Sequence, residues 1–265
     1  MERIKVALEK AREQRVQGGG EATEKQTGRS APAARPADIQ YTRTRVAKVS
    51  PAVMKKNRIV ATAQESAFAD AYKILRTQVL QRLKENDWNV LAVTSPGEDE
   101  GKTLTAINLA VSLALEVSHT VLLVDANLRH PSIHERLGLA PGKGLSDYLL
   151  DDADLAELLL HPEGLDHVVL LPAGRPVHNS AELLNSPKMV QLVDELKHRY
   201  PERIVIFDLP PVLSAADALA FAPYVDAALL VVEEGRTQAE AAQRAVELLE
   251  CTNVLGTVLN KAGQA

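Results

Sequence analysis

From Gln64 to Asn86 the apolar positions Phe68, Tyr72, Leu75, Val79 and Leu83 recur every three or four residues among polar and charged neighbours. That spacing gathers them on one stripe of a helix several turns long. Beyond it the rhythm changes. Short runs rich in Val, Leu and Ile at 89–95, 120–126, 167–173, 203–209, 226–234 and 253–260 alternate with helical stretches at 102–117, 181–200, 215–222 and 237–250. Strands that are apolar at consecutive positions need cover on both faces, and helices between them supply it. The pattern predicts an α/β fold: a mostly parallel sheet with helices on both faces, whose ligands bind at the carboxyl ends of the strands.

The first 60 residues read differently. Ile4, Leu8 and Ala11 fall at helical spacing among charges, which predicts an amphipathic helix over residues 1–15. Residues 16–60 open with Gly18–Gly20 and contain Pro32 and Pro36, the composition of a flexible linker. The folded body is expected to begin between 41 and 60 and is assigned to 61–265. Residues 1–60 carry 14 Lys/Arg against 6 Asp/Glu, whereas the remainder carries 16 against 29, so the overall charge of −5 joins a basic arm to an acidic body. A solvated tail is the favoured reading of that arm, with contact to an anionic membrane face or an acidic partner as the alternative.

Composition narrows the class. A chain of 265 residues, 46% hydrophobic and 25% charged, can bury one substantial core, and with 3% aromatics that core must be aliphatic. The single Cys251 excludes an intramolecular disulfide and a cysteine-rich zinc site. The charged start is no secretory signal and the apolar runs are too short to cross a bilayer, so a cytoplasmic protein is expected. An acidic body without a basic, aromatic stripe argues against nucleic acid, and seven histidines without HExxH spacing argue against a zinc protease.

The chemistry concentrates after three strands. The first passes through TSPGEDEGKTLTAINLA into an amphipathic helix, the context of a P-loop, in which backbone N–H groups and Lys102 face phosphate and the Thr103 hydroxyl reaches Mg²⁺. The candidate nucleotide contacts are Gly97, Glu98, Asp99, Glu100, Gly101, Lys102, Thr103 and Leu104. Pro96 stands where the strict motif has its first glycine, so GKT alone leaves open a lysine–threonine pair that merely opens a helix. Two further strands weaken that alternative. TVLLVDANLR ends in Asp125 with Arg129 four residues on, and RIVIFDLPP ends in Asp208 before two strand-stopping prolines. With Thr103, these two acids are the candidate metal ligands.

VTSPGEDEGKTLTAINLA, LLVDANLRHPSIH, GLSDYLL and IVIFDLPPVLSAADA, in that order, resemble the bacterial tyrosine kinases (BY-kinases), nearest to the exopolysaccharide autokinases of exosortase systems. The resemblance runs from about Gln64 to Lys261 and implies a P-loop NTPase fold binding ATP and Mg²⁺. It implies catalytic roles for Lys102, Asp125, Asp208 and Arg129, with Asp125 also able to take the tyrosine proton. It sets Asn260 against the adenine edge, with a plain strand-end cap as the alternative. Asp70, Lys73 and Arg76 take the places of the ring-forming helix motif, which implies a homo-oligomer. The partner so implied is an inner-membrane polysaccharide co-polymerase, which would hold the chain peripherally at that membrane.

Three departures stand out. Glu98 and Asp99 bring negative charge to a loop built for a polyanion, which is tolerable only if both side chains point outward. Asn127 replaces the second acid of the DxDxR motif and can neither charge-neutralise Mg²⁺ nor accept a proton. The family's tail tyrosine cluster has no counterpart in NKAGQA; the tyrosines are dispersed at 41, 72, 148, 200 and 224, and Tyr41 is the one expected to be accessible. Kinase control of exopolysaccharide assembly is therefore the leading expectation. A Min/Par-like ATPase switch, which normally carries an early loop lysine absent here from 94 to 101, is one alternative. A nucleotide-sensing module without turnover is the other.

Overall fold

The computed structural model of the protein describes residues 44–59, 66–116, 119–199 and 202–263. The expected helix at 1–15, the linker as far as 43, and Tyr41 and Tyr200 lie outside the described residues. In chain order the elements are β1 (Arg45–Ala47), α1 (Pro51–Lys56), α2 (Ala67–Asn86), β2 (Val90–Thr94), α3 (Lys102–Ala114), β3 (Thr120–Asp125), α4 (Ile133–Arg136), α5 (Leu145–Asp151) and α6 (Leu155–Leu158). There follow β4 (Leu160–Pro162), β5 (Val168–Leu171), α7 (Ser180–Leu184), α8 (Pro187–Arg199), β6 (Arg203–Asp208), α9 (Asp217–Phe221), β7 (Ala227–Glu233), α10 (Ala239–Leu248) and β8 (Asn253–Asn260).

The eight strands form one sheet in the order β1-β4-β5-β3-β6-β2-β7-β8. From β5 to β8 every pairing is parallel; β4 lies antiparallel to β5, and β1 runs parallel to β4. Alternation along the central strands divides the core in two. Leu91, Val93, Val121, Leu123, Ile204 and Ile206 pack with α3 on one face. Val90, Ala92, Leu122, Val124, Val205 and Phe207 pack with α8 and α9 on the other. Helix α3 is buried almost throughout because α2 lies over it: Arg76 Nη1 donates to Ser112 O at 3.1 Å and Ser112 Oγ donates to Tyr72 O at 3.2 Å.

Local sequence explains most boundaries. Ser66 caps α2 by accepting from Ala69 N at 3.1 Å, and Asp87 ends it in the left-handed region at φ 57°. The single helix expected at 181–200 is two, because Pro187 cannot continue α7 but opens α8 without loss of a donor. Residues 44–59, the last part of the stretch assigned to the flexible linker, belong to the folded unit. There β1 joins the sheet edge, Ile59 is buried and Asn57 Nδ2 donates to Arg136 O at 2.7 Å.

Phe207 is fully buried with its ring centroid 4.8 Å from that of Phe221. Phe207→Ala should lower stability by about 3–5 kcal/mol, read as a lower urea midpoint at unchanged slope.

Candidate active site

Parallel pairing builds the site. Register places Val93 of β2 beside Asp208 of β6, and Asp208 beside Asp125 of β3, so the P-loop and both acids emerge from three adjacent strand ends. After Asp208 the chain stays zipped to β2 and the start of the loop. Leu209 N donates to Val93 O, Val212 N to Ser95 O, and Thr94 Oγ1 to the carbonyl of Pro210 at 2.7 Å. The two prolines thus end the strand yet keep the acid and the loop in register.

The loop from Ser95 to Gly101 is held from behind. Gly101 sits at φ 96°, and a Cβ there would lie 1.9 Å from Asn260 Nδ2, so only glycine fits. Asn260 Nδ2 donates to Glu100 O at 2.8 Å, and Lys261 Nζ donates to Asp99 O at 2.8 Å and to Glu233 Oε2 at 2.8 Å. The Glu100 carboxylate is buried: it accepts from Gly97 N at 2.8 Å and from the Thr237 hydroxyl. Glu98 and Asp99 are exposed and border the cleft, so their charge stays in contact with water beside the site. Lys102 and Thr103 open α3, with Lys102 Nζ 3.3 Å from Thr103 Oγ1. The first-turn N–H groups of this helix point away from its body, where an anion is favoured.

The acids are both fully buried. Asp125 accepts from Asn127 N at 3.3 Å and from Ser132 N and Ile133 N at 3.1 Å each. Burial first, and the charge of Asp208 second, nevertheless push its carboxyl up to about 7, against the pull of those three N–H groups. Among the described residues neither oxygen of Asp208 has a hydrogen-bond partner of good geometry, although the Thr103 hydroxyl lies near. Burial raises its pKa too, and the Lys102 ammonium, the Thr103 hydroxyl and the Arg136 guanidinium nearby offset only part of that. Buried carboxylate oxygens without partners, next to a hydroxyl and an ammonium, are the donor set that suits a small hard cation carrying a phosphate chain. The residues present therefore fit Mg²⁺.

A cleft of about 1150 Å³ opens beside these groups, and Lys102, Thr103, Asn127, Ser132 and Arg136 line it. Phe68, Leu75 and Leu259 add apolar lining. Not every expected residue reaches it in the expected role. Arg129 donates from Nε to Ser180 Oγ at 2.9 Å and to the buried Asp217 carboxylate at 3.2 Å, contacts outside the cleft lining. Asn260 lines the cleft, but its amide nitrogen supports the loop. On α2, Asp70 and Lys73 are exposed and paired with each other at 2.8 Å, while Arg76 is spent on Ser112 and Glu116. Glu100, expected at the nucleotide, instead braces the loop, and the supporting roles of Thr237 and Lys261 are not readable in the sequence because they act through contacts between distant segments.

A helix opened by glycine, lysine and threonine, facing acids on adjacent parallel strands, defines a P-loop nucleotide-binding protein. No family model matches the chain. It is 34% identical over 209 residues to the tyrosine-protein kinase YwqD of Bacillus subtilis, spanning 78% of this chain and 86% of YwqD. It is likewise 34% identical over 215 residues to the succinoglycan biosynthesis transport protein ExoP of Rhizobium meliloti, spanning 77% of this chain but 26% of ExoP. Among solved structures, the kinase domain of the Escherichia coli tyrosine kinase ETK superposes with a TM-score of 0.70 at 28% identity, covering 83% of this chain and 92% of that one. The chain belongs to the bacterial tyrosine kinase family, whose activity is ATP-dependent phosphorylation of tyrosine.

The acids carry a pH signature. An unfolded Asp loses its proton near 3.8, whereas folded Asp125 keeps it to about 7, so the folded state binds more protons between those values. The stability this contributes is complete below the lower value and is lost as pH rises through the higher. In metal-free buffer the melting temperature of wild type should therefore fall, relative to Asp125→Asn, from about pH 5 to about pH 8. Mg²⁺ with nucleotide should reverse the order at the upper pH, because only wild type offers the carboxylate.

Proposed function

We propose that this chain uses Mg·ATP to phosphorylate tyrosine in a system that makes or exports exopolysaccharide. The observation that carries the reading is the buried Asp125–Asp208 pair, with Asp208 unpartnered, beside Lys102 and Thr103. The N–H groups from Glu98 to Leu104 and the Lys102 ammonium would hold the phosphate chain, and Thr103, Asp125 and Asp208 would hold the metal, while the Gly97 N–H stays on the Glu100 carboxylate. Bound there, Mg²⁺ neutralises charge on the phosphoryl group being transferred. The Asp125 carboxylate is also the group that could accept the phenolic proton. Asn127 cannot share either task, so one carboxylate carries both.

The surroundings extend the proposal. Phe68 and Ile74 are 61% and 62% exposed on the same helix as Asp70 and Lys73, a surface suited to a second copy of the chain. No helix among the described residues is long and apolar enough to cross a membrane. We place the chain in the cytoplasm, held at the inner membrane by a polysaccharide co-polymerase, consistent with its match to one portion of the longer ExoP.

Incubation of the purified chain with Mg·ATP, followed by detection of phosphotyrosine, tests the activity. Wild type should give signal, and Lys102→Ala should lose on the order of a hundredfold. No signal from wild type, or equal signal from the variant, would remove the kinase assignment. Tight nucleotide binding without phosphotyrosine would instead select a nucleotide-sensing module, the reading favoured by Asn127.

A further inference from the structure

Arg136 closes the short helix α4, which follows β3 and Asp125. Its backbone is fixed on both sides: N–H donates to Ser132 O at 3.0 Å, and its carbonyl accepts from Asn57 Nδ2 at 2.7 Å. Its side chain is not. The Nε is buried without an acceptor, and no hydrogen bond or ion pair engages the guanidinium among the described residues. Leaving a buried donor unmade is costly, and more so when the group is charged. The guanidinium lines the cleft with Lys102, Thr103, Asn127 and Ser132, close enough to Asp208 to influence its ionisation.

Asp208, beside it, also has both carboxylate oxygens unpartnered. An ion pair between the two would satisfy both residues, and they do not form one. Each is thus left for a different ligand atom, a cation for Asp208 and an anion for Arg136. A metal-bound phosphate chain supplies both at once. The loop rises from β2 and Arg136 follows β3, with β6 and Asp208 between them. Arg136 lines the same cleft as Lys102 and Thr103 but belongs to a different segment from the loop, so a phosphate chain seated on the loop would meet it with a group beyond those the loop holds.

We propose that Arg136 binds the terminal phosphate of the nucleotide, so that the pocket distinguishes a nucleoside triphosphate from a diphosphate. A planar guanidinium with several donors suits two oxygens of a phosphoryl group better than an ammonium does. The assignment rests on the nucleotide reading of the P-loop but concerns a different group of the ligand.

Calorimetric titration of the full chain with Mg·AMPPNP and with Mg·ADP separates the two. In Arg136→Gln the dissociation constant for Mg·AMPPNP should rise about tenfold or more, while that for Mg·ADP stays within about twofold. Arg136→Lys should fall between, and decides the question if the glutamine variant does not fold. A merely structural Arg136 would weaken both nucleotides alike, and that result, or no change in either, overturns the proposal. Lys102→Ala should weaken both. If wild type binds neither nucleotide, the P-loop reading itself fails and takes this assignment with it.

Discussion

Two carboxylates that repel one another are held side by side in the centre of the sheet, and the architecture around them exists to keep them there. Asp125 and Asp208 end adjacent parallel strands in register, beneath a fully covered core. Lys102, Thr103 and Arg136 only partly offset the burial of Asp208, and three N–H groups only partly steady Asp125. An unpaired buried charge is among the costliest arrangements a fold can carry. It persists because the strand ladder on both sides and the apolar packing on both faces leave the acids no alternative position. The energy held against ionisation without a ligand is what a cation recovers on binding.

The phosphate loop faces a complementary difficulty. Its sequence carries three acids before the glycine, yet must present positive backbone dipoles to a polyanion. The structure divides those acids by function. Glu98 and Asp99 are exposed at the border of the cleft, where water screens them, and Glu100 turns inward to tie Gly97 to Thr237. Lys261 sets a positive charge against the outer rim through Asp99 O and Glu233. The shape of the loop therefore depends on the turn after β7 and the end of β8 as much as on its own residues.

The fold was largely legible in the sequence. All six anticipated strands form, since consecutive apolar residues have few options other than a sheet covered on both faces. What escaped was short or composite. Strands β1 and β4 have three residues each, too few for a periodicity to register, and both exist only as additions to a sheet edge. Lys102, Thr103, Asp125 and Asp208 do converge, because each is fixed by its place at a strand end or helix start. Arg129, Asn260 and Arg136 were not readable in the same way. The reach of a long or polar side chain is decided by which distant segment meets it: Ser180 and Asp217 draw off Arg129, and the bare Cα of Gly101 makes room for Asn260.

The Asn260 and Lys261 contacts also fix an order of events during synthesis. Synthesis runs from the N-terminus, so the residues of helix α3, its lysine included, emerge first. The side chains that brace the loop from behind arrive more than 150 residues later. A nascent chain therefore carries the phosphate-binding residues long before it carries the brace that shapes them, and translation halted short of β8 leaves a ribosome-bound product with the loop but without its support.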